Sequence, residues 1–309
     1  MLVHLNPRRI AIGGGYHGCH GVIGILTKLN GLQKVALHDD DAAWNAAGLG
    51  KGDVVHIETP INPTGEATDI AHFAERAHKR GCILTVDATF GPPGLQDPFA
   101  LGADIIMHSG TKYIGGHSDL LCGILAVRRN DWWKELWTER LHLGSVMGSF
   151  EGWLGLRSVR TLELRVQRQS ASAERLVAWL ADALASKGGA EDEDGDAMRK
   201  AVRRVQHASL QKDDMHWLKK QMPNGFGPVF VVWLRSMEMA RAFPSKLKLF
   251  QHATSLGGVE SLIEWRRMSD DSVDVRVLRV SVGVEAVEDL QADMLQGFKA
   301  VLADESVTR

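Results

Sequence analysis

Residues 104–119 read DIIMHSGTKYIGGHSD, and this stretch decides how the chain is interpreted. Its apolar start, Asp104–Met107, is typical of a short buried strand, whereas the residues that follow are small, hydroxylated or charged. Lys112 lies among Ser, Gly and Thr, just before a Gly-Gly turn. Burial of a lysine at such a place makes its amine a better nucleophile, as covalent catalysis requires. Lys112 is therefore a candidate catalytic residue, and an ordinary surface lysine is the alternative.

Similar apolar runs occur on both sides of this stretch. Strands are predicted at Asp53–Ile57, Cys82–Val86 and Gly123–Val127. Between the first two, the periodicity of Thr68–Arg80 predicts a helix capped by Thr68. Strands that alternate with helices favour an α/β fold with a mostly parallel sheet covered by helices.

Polar clusters follow three of the predicted strands. They are Glu58–Asn62, Asp87–Thr89 and His108–Lys112. Because ligands of parallel sheets bind at the carboxyl ends of the strands, we expect a site where these clusters meet. The Asp87 carboxylate can pair with the protonated pyridine nitrogen of pyridoxal 5'-phosphate (PLP), and Lys112 can form a Schiff base with its aldehyde. The pair predicts a PLP site, although a turn or cap role is an alternative for Asp87 alone.

Two further residues extend this prediction. Tyr16, in the sequence GGGYHGCH, can stack on the pyridine ring or take part in proton transfer. A phosphate-binding glycine loop and a zinc site are alternatives there, but no P-loop Lys-Ser/Thr and no second zinc-ligand pair follow, so no metal is predicted. Arg279 lies in an apolar, strand-like run, where it can bind a substrate α-carboxylate or an internal acid.

Composition limits the function and the location of the protein. The net charge is −2 at pH 7, which gives no attraction to nucleic acid or to an anionic membrane. The three cysteines are too few and too scattered for a disulfide framework, which favours a reducing compartment. Neither a secretory signal nor an apolar run of bilayer length is found in the sequence, so we expect a cytoplasmic protein.

The pattern of the second half predicts two domains. Ser149–Leu184 is helical with a possible interruption, and residues 187–196, rich in Gly, Asp and Glu, are predicted to form a solvated boundary loop. A strand at Val229–Leu234 and a closing helix from Val287 predict a smaller α/β domain. The expected domains are 1–186, which holds the cofactor, and 187–309.

The chain resembles the Cys/Met-metabolism PLP enzymes, the trans-sulfuration family that includes cystathionine γ-synthase, cystathionine lyases and methionine γ-lyase. The resemblance runs from about Ile10 to the C-terminal helix, and the order and spacing of the motifs agree with the family. The segments that carry it are Glu58–Pro63, Val86–Phe90, Gly102–Tyr113, Gly116–Asp119, Trp153–Arg157, Arg160–Leu162, Ser255–Leu262 and Leu278–Gly283.

The resemblance implies a type I PLP-dependent transferase fold, with a large sheet domain and a smaller C-terminal α/β domain. It implies Lys112 as the Schiff-base lysine, Asp87 as the pyridinium partner and Tyr16 as the stacking ring. The chemistry of the Tyr16 hydroxyl adds a predicted catalytic role in proton transfer. The other implied cofactor contacts are Ser109 and Thr111 at the phosphate and Asn62 near the phenolic oxygen. Thr89, in the Asp87 cluster, is also predicted to bind the cofactor. Ser255 and Arg279 would hold the substrate carboxylate.

The implied activity is γ-replacement on an O-acylhomoserine, as in cystathionine γ-synthase, with a small amino acid as substrate and a homo-oligomer, dimer or tetramer, as the assembly. A cystathionine or methionine lyase and a non-catalytic paralogue are the alternatives. The chain departs from the family at Ala88, usually Asn, and at Thr254, which weakens the case for cystathionine as a ligand. The family's N-terminal phosphate-binding segment does not precede Leu2, so we expect an N-terminally incomplete member.

Overall fold

The computed structural model describes residues 1–37, 40–186 and 192–308. The first of its two sheets has six strands in the order β2-β1-β3-β4-β5-β6, all parallel except β6, which runs antiparallel to β5. These strands are β1 (Arg9–Ile12), β2 (Gln33–Ala36), β3 (Val54–Glu58), β4 (Ile83–Asp87), β5 (Ile105–Ser109) and β6 (Gly123–Val127). The predicted mostly parallel sheet is confirmed.

Helices cover both faces of this sheet, because alternate side chains of a strand point to opposite faces. The helices of this half are α1 (Leu2–Leu5), α2 (His17–Asn30), α3 (Asp41–Ala46), α4 (Ile70–Lys79), α5 (Asn130–His142) and α6 (Ser149–Val159). One apolar core joins Ile10, Ile12 and Val54 to Ile23 and Leu26 of α2. The other joins Ala11, Val55 and Leu84 to Trp44 of α3 and to Ile70 and Phe73 of α4.

The residue that caps the start of α4 differs from the prediction. Asp69, not Thr68, caps the helix, and its carboxylate accepts a hydrogen bond from the His72 amide at 3.0 Å. Thr68 is one residue too early and instead donates its amide to the Thr59 hydroxyl at 2.9 Å. The prediction identified the helix correctly and shifted its cap by one position.

The second sheet is mostly antiparallel, in the order β7-β8-β11-β10-β9, with β9 parallel to β10. Its strands are β7 (Val202–Gln206), β8 (Val229–Leu234), β9 (Gln251–His252), β10 (Leu262–Trp265) and β11 (Val277–Ser281). The helices of this half are α7 (Leu162–Ala185), α8 (Glu193–Ala201), α9 (Met215–Gln221), α10 (Met237–Ala242), α11 (Val287–Ala303) and α12 (Glu305–Thr308). Short 3₁₀ turns lie at Ala208–Leu210, Lys212–Asp214, Phe243–Lys246 and Arg266–Met268.

The long helix α7 connects the two halves. Near its start, Leu162 and Val166 pack with Tyr113, which follows β5, whereas Leu176 and Leu180 enter the core of the second sheet. The predicted helical stretch is interrupted between α6 and α7, at residues 160–161. Within the part of the chain that the structure describes, no helix combines the length and apolarity needed to span a bilayer.

The predicted boundary loop at 187–196 is wrong at its C-terminal end. Residues from Glu193 onward form α8, and Asp192 caps it by accepting a hydrogen bond from the Gly195 amide at 3.0 Å. Residues 187–191 lie outside the described residues. The division of the chain at 186/187 stays a prediction.

Candidate active site

Three strands of the first sheet end side by side in acidic or hydroxyl side chains. Glu58 ends β3, Asp87 ends β4 and Ser109 ends β5, and the register pairs Glu58 with Asp87 and Asp87 with Met107. The three polar clusters predicted from the sequence therefore meet at one sheet edge. This is the edge where parallel sheets bind ligands.

Asp87 is a buried carboxylate held by its own turn. Its Oδ1 accepts hydrogen bonds from the Thr89 amide at 2.9 Å and from the Thr89 hydroxyl at 2.6 Å. The same hydroxyl accepts the Ser109 amide at 2.9 Å, so Thr89 ties the ends of β4 and β5 together. Burial raises the pKa of Asp87, and the two Thr89 bonds oppose that rise. Among the described residues no cation pairs with this carboxylate, so it can accept a cationic group of a ligand.

Lys112 lies in the turn after β5, facing the loop that follows β9. Its Nζ donates a hydrogen bond to the Ser255 hydroxyl at 3.3 Å. Burial lowers the pKa of Lys112, and the nearby Arg279 charge lowers it further. The loop approaches closely because Gly257 has φ +82° and a Cβ there would lie 2.9 Å from the Tyr113 amide nitrogen. The structure thus brings two of the predicted site residues, Lys112 and Ser255, into contact; their roles stay predictions.

Glu58 joins two of the predicted residues. Its Oε2 accepts the Tyr16 amide at 2.7 Å, and its Oε1 accepts the Asn62 amide at 2.6 Å. Burial, reinforced by the Asp87 charge, raises the pKa of Glu58 to about 8. Sequence reasoning placed Glu58 in a strand-end cluster but assigned it no role. Its position at the end of β3, matching that of Asp87 on β4, was the available signal.

Arg279 is buried in the middle of β11, with its guanidinium fixed on several sides. It forms an ion pair with Glu264 of β10 at 2.6 Å and donates to Asn62 Oδ1 at 3.1 Å. It also donates to the backbone carbonyls of Ser255, at 3.2 Å, and of Thr254. Burial lowers the pKa of Arg279 to about 10, and Glu264 opposes this shift. The sequence left two partners open for Arg279, a substrate carboxylate and an internal acid. The structure contains the internal acid, Glu264, which the sequence alone did not identify.

The side-chain contacts of two other predicted residues, Thr111 and Tyr16, are with neighbours that have no predicted role in the site. The Thr111 hydroxyl is bonded to Cys122 on both sides, accepting its amide at 3.1 Å and donating to its carbonyl at 3.3 Å. The Tyr16 side chain is about half exposed at the start of α2, with its ring centroid 4.8 Å from that of His17. The phosphate role of Thr111 and Ser109 and the stacking and catalytic roles of Tyr16 stay predictions.

Two of the residues at this sheet edge fit the chemistry of PLP. Asp87 offers a buried carboxylate that pairs with no cation of the described residues and suits a protonated pyridine nitrogen, and Lys112 offers an amine with a lowered pKa. No group of three or more His, Cys, Asp or Glu residues able to hold a metal ion occurs in the described ranges. The fold and the arrangement of these residues are those of the type I class of PLP-dependent proteins.

Comparison with known proteins identifies the family. Residues 2–299 match the model of the Cys/Met metabolism PLP-dependent enzymes, and the chain belongs to that family. It is 36% identical over 257 residues to a cystathionine gamma-lyase of Dictyostelium discoideum (79% of this chain, 62% of the relative). It is 33% identical over 299 residues to cystathionine gamma-synthase of Escherichia coli (92% and 73%). The chain thus spans less than two thirds of the Dictyostelium relative.

Solved structures agree with this assignment. MetB of Corynebacterium glutamicum superposes with a TM-score of 0.83 at 28% identity, covering 97% of this chain and 79% of that one. CalE6, a methionine gamma lyase of Micromonospora echinospora, superposes with a TM-score of 0.81 at 32% identity, covering 94% and 76%. The predicted family and fold are confirmed.

Proposed function

We propose that this protein is a trans-sulfuration enzyme that catalyses γ-replacement on an O-acylhomoserine, as a cystathionine γ-synthase does. The observation that carries the proposal is the placement of Asp87, Lys112 and Arg279 around the ends of β3, β4 and β5. Asp87 ends β4 and Lys112 follows β5, while Arg279 of the second sheet reaches Asn62, beyond the end of β3, and the Ser255 carbonyl beside Lys112. Asp87 supplies a buried carboxylate, Lys112 an amine with a lowered pKa, and Arg279 a buried guanidinium, a group that can bind a carboxylate.

Each of these residues has one task in the proposed reaction. When bound, PLP supplies an electron sink for the negative charge that develops at the substrate Cα. Asp87 would hold the protonated pyridine nitrogen, and Lys112 would take the Cα proton and return a proton to the neighbouring carbons. Ser255, 3.3 Å from Lys112 Nζ, and Arg279 orient the substrate carboxylate.

Elimination is the second candidate, because several relatives with similar identity are lyases. One is the Dictyostelium cystathionine gamma-lyase, and a Lactococcus lactis cystathionine beta-lyase is 32% identical over 256 residues. Replacement and elimination share the steps assigned to Asp87 and Lys112. The site therefore supports both reactions, and only the products separate them.

The test compares two reactions under the same conditions with PLP, one with a pair of substrates and one with a single amino acid. γ-Replacement predicts that O-succinyl-L-homoserine and L-cysteine yield cystathionine, which mass spectrometry detects directly. Elimination predicts a keto acid and ammonia from cystathionine or methionine alone. If only the single amino acids react, the γ-synthase proposal is wrong. If neither reaction proceeds in a PLP-loaded protein, the trans-sulfuration proposal is wrong.

We also propose a homo-oligomer, a dimer or tetramer, in the cytoplasm. Large apolar side chains on α5 and α6 are at least half exposed, and they include Trp133, Trp137, Phe150 and Trp153. Exposed apolar surface of this kind is typical of a protein–protein interface. A second copy of the chain is the occupant that we expect.

A further inference from the structure

Arg279 belongs to a buried cluster of three charged residues that carries a net positive charge. Arg266, Arg279 and Glu264 each expose less than a tenth of their surface. Arg266 Nη1 lies 2.9 Å from Glu264 Oε2, and Arg279 Nη2 lies 2.6 Å from the same oxygen. Two buried guanidinium groups therefore share one carboxylate, which leaves one positive charge in excess.

The surrounding residues do not remove this excess. The other oxygen of Glu264 accepts a hydrogen bond from the Ser269 hydroxyl, which is neutral. Asp270, with about a third of its side chain exposed, is 3.9 Å from Arg266 and is therefore a weak partner. The Nε of Arg266 is buried without a hydrogen-bond partner among the described residues. An excess charge at such a place is costly unless an anion binds beside it.

Hydrogen bonds through Ser255 connect this excess positive charge to the Lys112 amine. Arg279 donates to the Ser255 carbonyl at 3.2 Å, and the Ser255 hydroxyl accepts from Lys112 Nζ at 3.3 Å. An anion bound at Arg279 would therefore lie within reach of Lys112. If Glu264 had Arg279 as its only cation, the pair would be neutral and would attract a carboxylate less strongly.

We propose that Arg266 is a positioning residue that shares Glu264 with Arg279 and so leaves a positive charge at Arg279 for the α-carboxylate of an amino acid. The inference rests on the proposed function and extends it, because it assigns selection for free carboxylates to a residue outside direct contact with the substrate. The relevant ligand class is the α-amino acid with an ionised carboxylate, as opposed to its amide.

The test measures binding instead of turnover. L-Norleucine has no γ-leaving group and is therefore not consumed in γ-replacement, and L-norleucinamide is its uncharged counterpart. Calorimetry gives the dissociation constants of both for the PLP-treated protein and for the variants Arg266→Met, Glu264→Gln and the double variant. Arg267→Met is the matched control, since Arg267 lies on the same turn, is partly exposed and interacts with Asp271.

The inference predicts a pattern that a purely structural role would not give. Arg266→Met should weaken L-norleucine binding about 10- to 100-fold, the range of one charge-assisted hydrogen bond, and leave the amide unchanged. The double variant should recover most of the preference for L-norleucine over its amide, because Glu264 no longer neutralises Arg279. Arg267→Met should behave as the wild type.

Thermal unfolding of the apoprotein gives a second readout that needs no cofactor. Arg266→Met removes the excess charge, so its midpoint should be equal to or above that of the wild type, and Glu264→Gln should lower it. An equal loss of acid and amide binding, or failure of the double variant to recover, would overturn the inference. So would a wild type that does not prefer the acid. The proposed function fails separately, if the wild type binds norleucine but converts none of the sulfur substrates.

Discussion

Replacement of Glu58 by Gln tests whether the sheet edge contains a carboxylic acid that is protonated near neutral pH. The substitution keeps the size of the side chain and removes its titration. Both carboxyl oxygens accept backbone amides, from Tyr16 and from Asn62. Gln offers an NH₂ group in place of one oxygen, so one of these two bonds is lost, at a cost of about 1–2 kcal/mol.

The pH dependence follows from the direction of the shift. The pKa of Glu58 rises from 4.5 to about 8, so the folded state holds this proton more tightly than the unfolded state. The associated stability is present below pH 4.5 and is lost as pH rises through about 8. At 1.36 kcal/mol per pKa unit, the loss between pH 5 and pH 9 is about 3–5 kcal/mol. Most of it falls between pH 5 and pH 8.

Urea denaturation at pH 5, 6, 7, 8 and 9 measures the effect. The wild type should be more stable than Glu58→Gln at pH 5, and the order should reverse by pH 9. Glu163→Gln, at an exposed position on α7, is the control and should follow the wild type at every pH. A difference between wild type and Glu58→Gln that stays constant across this range would refute the reasoning.

Three further outcomes are expected. With PLP added, the wild type should show the visible absorbance of a lysine-bound cofactor; Lys112→Ala should lack it, and Lys51→Ala, at an exposed lysine, should retain it. Thr89→Val should weaken PLP binding about tenfold in a fluorescence titration, since Asp87 loses a side-chain bond of about 1.5 kcal/mol, and Thr89→Ser should keep most of the affinity. Trp137→Ser should shift the mass found by light scattering toward the monomer without changing the circular dichroism, and a wild type that is already monomeric would contradict the proposed homo-oligomer.

The sequence was informative where local pattern and position coincide. Asp87 and Lys112 each follow an apolar run, and the parallel sheet brings the ends of such runs together. Arg279 was conspicuous because a charged residue in an apolar strand must have a partner. These inferences need only the period of the strands and the rule for where such sheets bind ligands.

Other features depend on contacts between distant parts of the chain. The shared carboxylate of Glu264 could not be inferred, because its partner Arg279 is fifteen positions away on a neighbouring antiparallel strand. The helix α8 was missed because its first turn is acidic, which suits a helix N-terminus as well as a solvated loop. Its buried face, with Met198 and Ala201, is too short to give a clear period.

The arrangement of charges around the site favours one orientation of a bound ligand. Asp87, at the end of β4, forms the acidic side, and Arg279 of β11, together with Arg266 in the turn after β10, forms the cationic side. Lys112 contacts Ser255 between them. A cationic ring nitrogen is stabilised at the acidic side and a carboxylate at the cationic side, so a ligand with both groups is held in one orientation only. Exchanging the signs at either side should therefore abolish productive binding, whereas neutralising one side should weaken it, because orientation then rests on the other side alone.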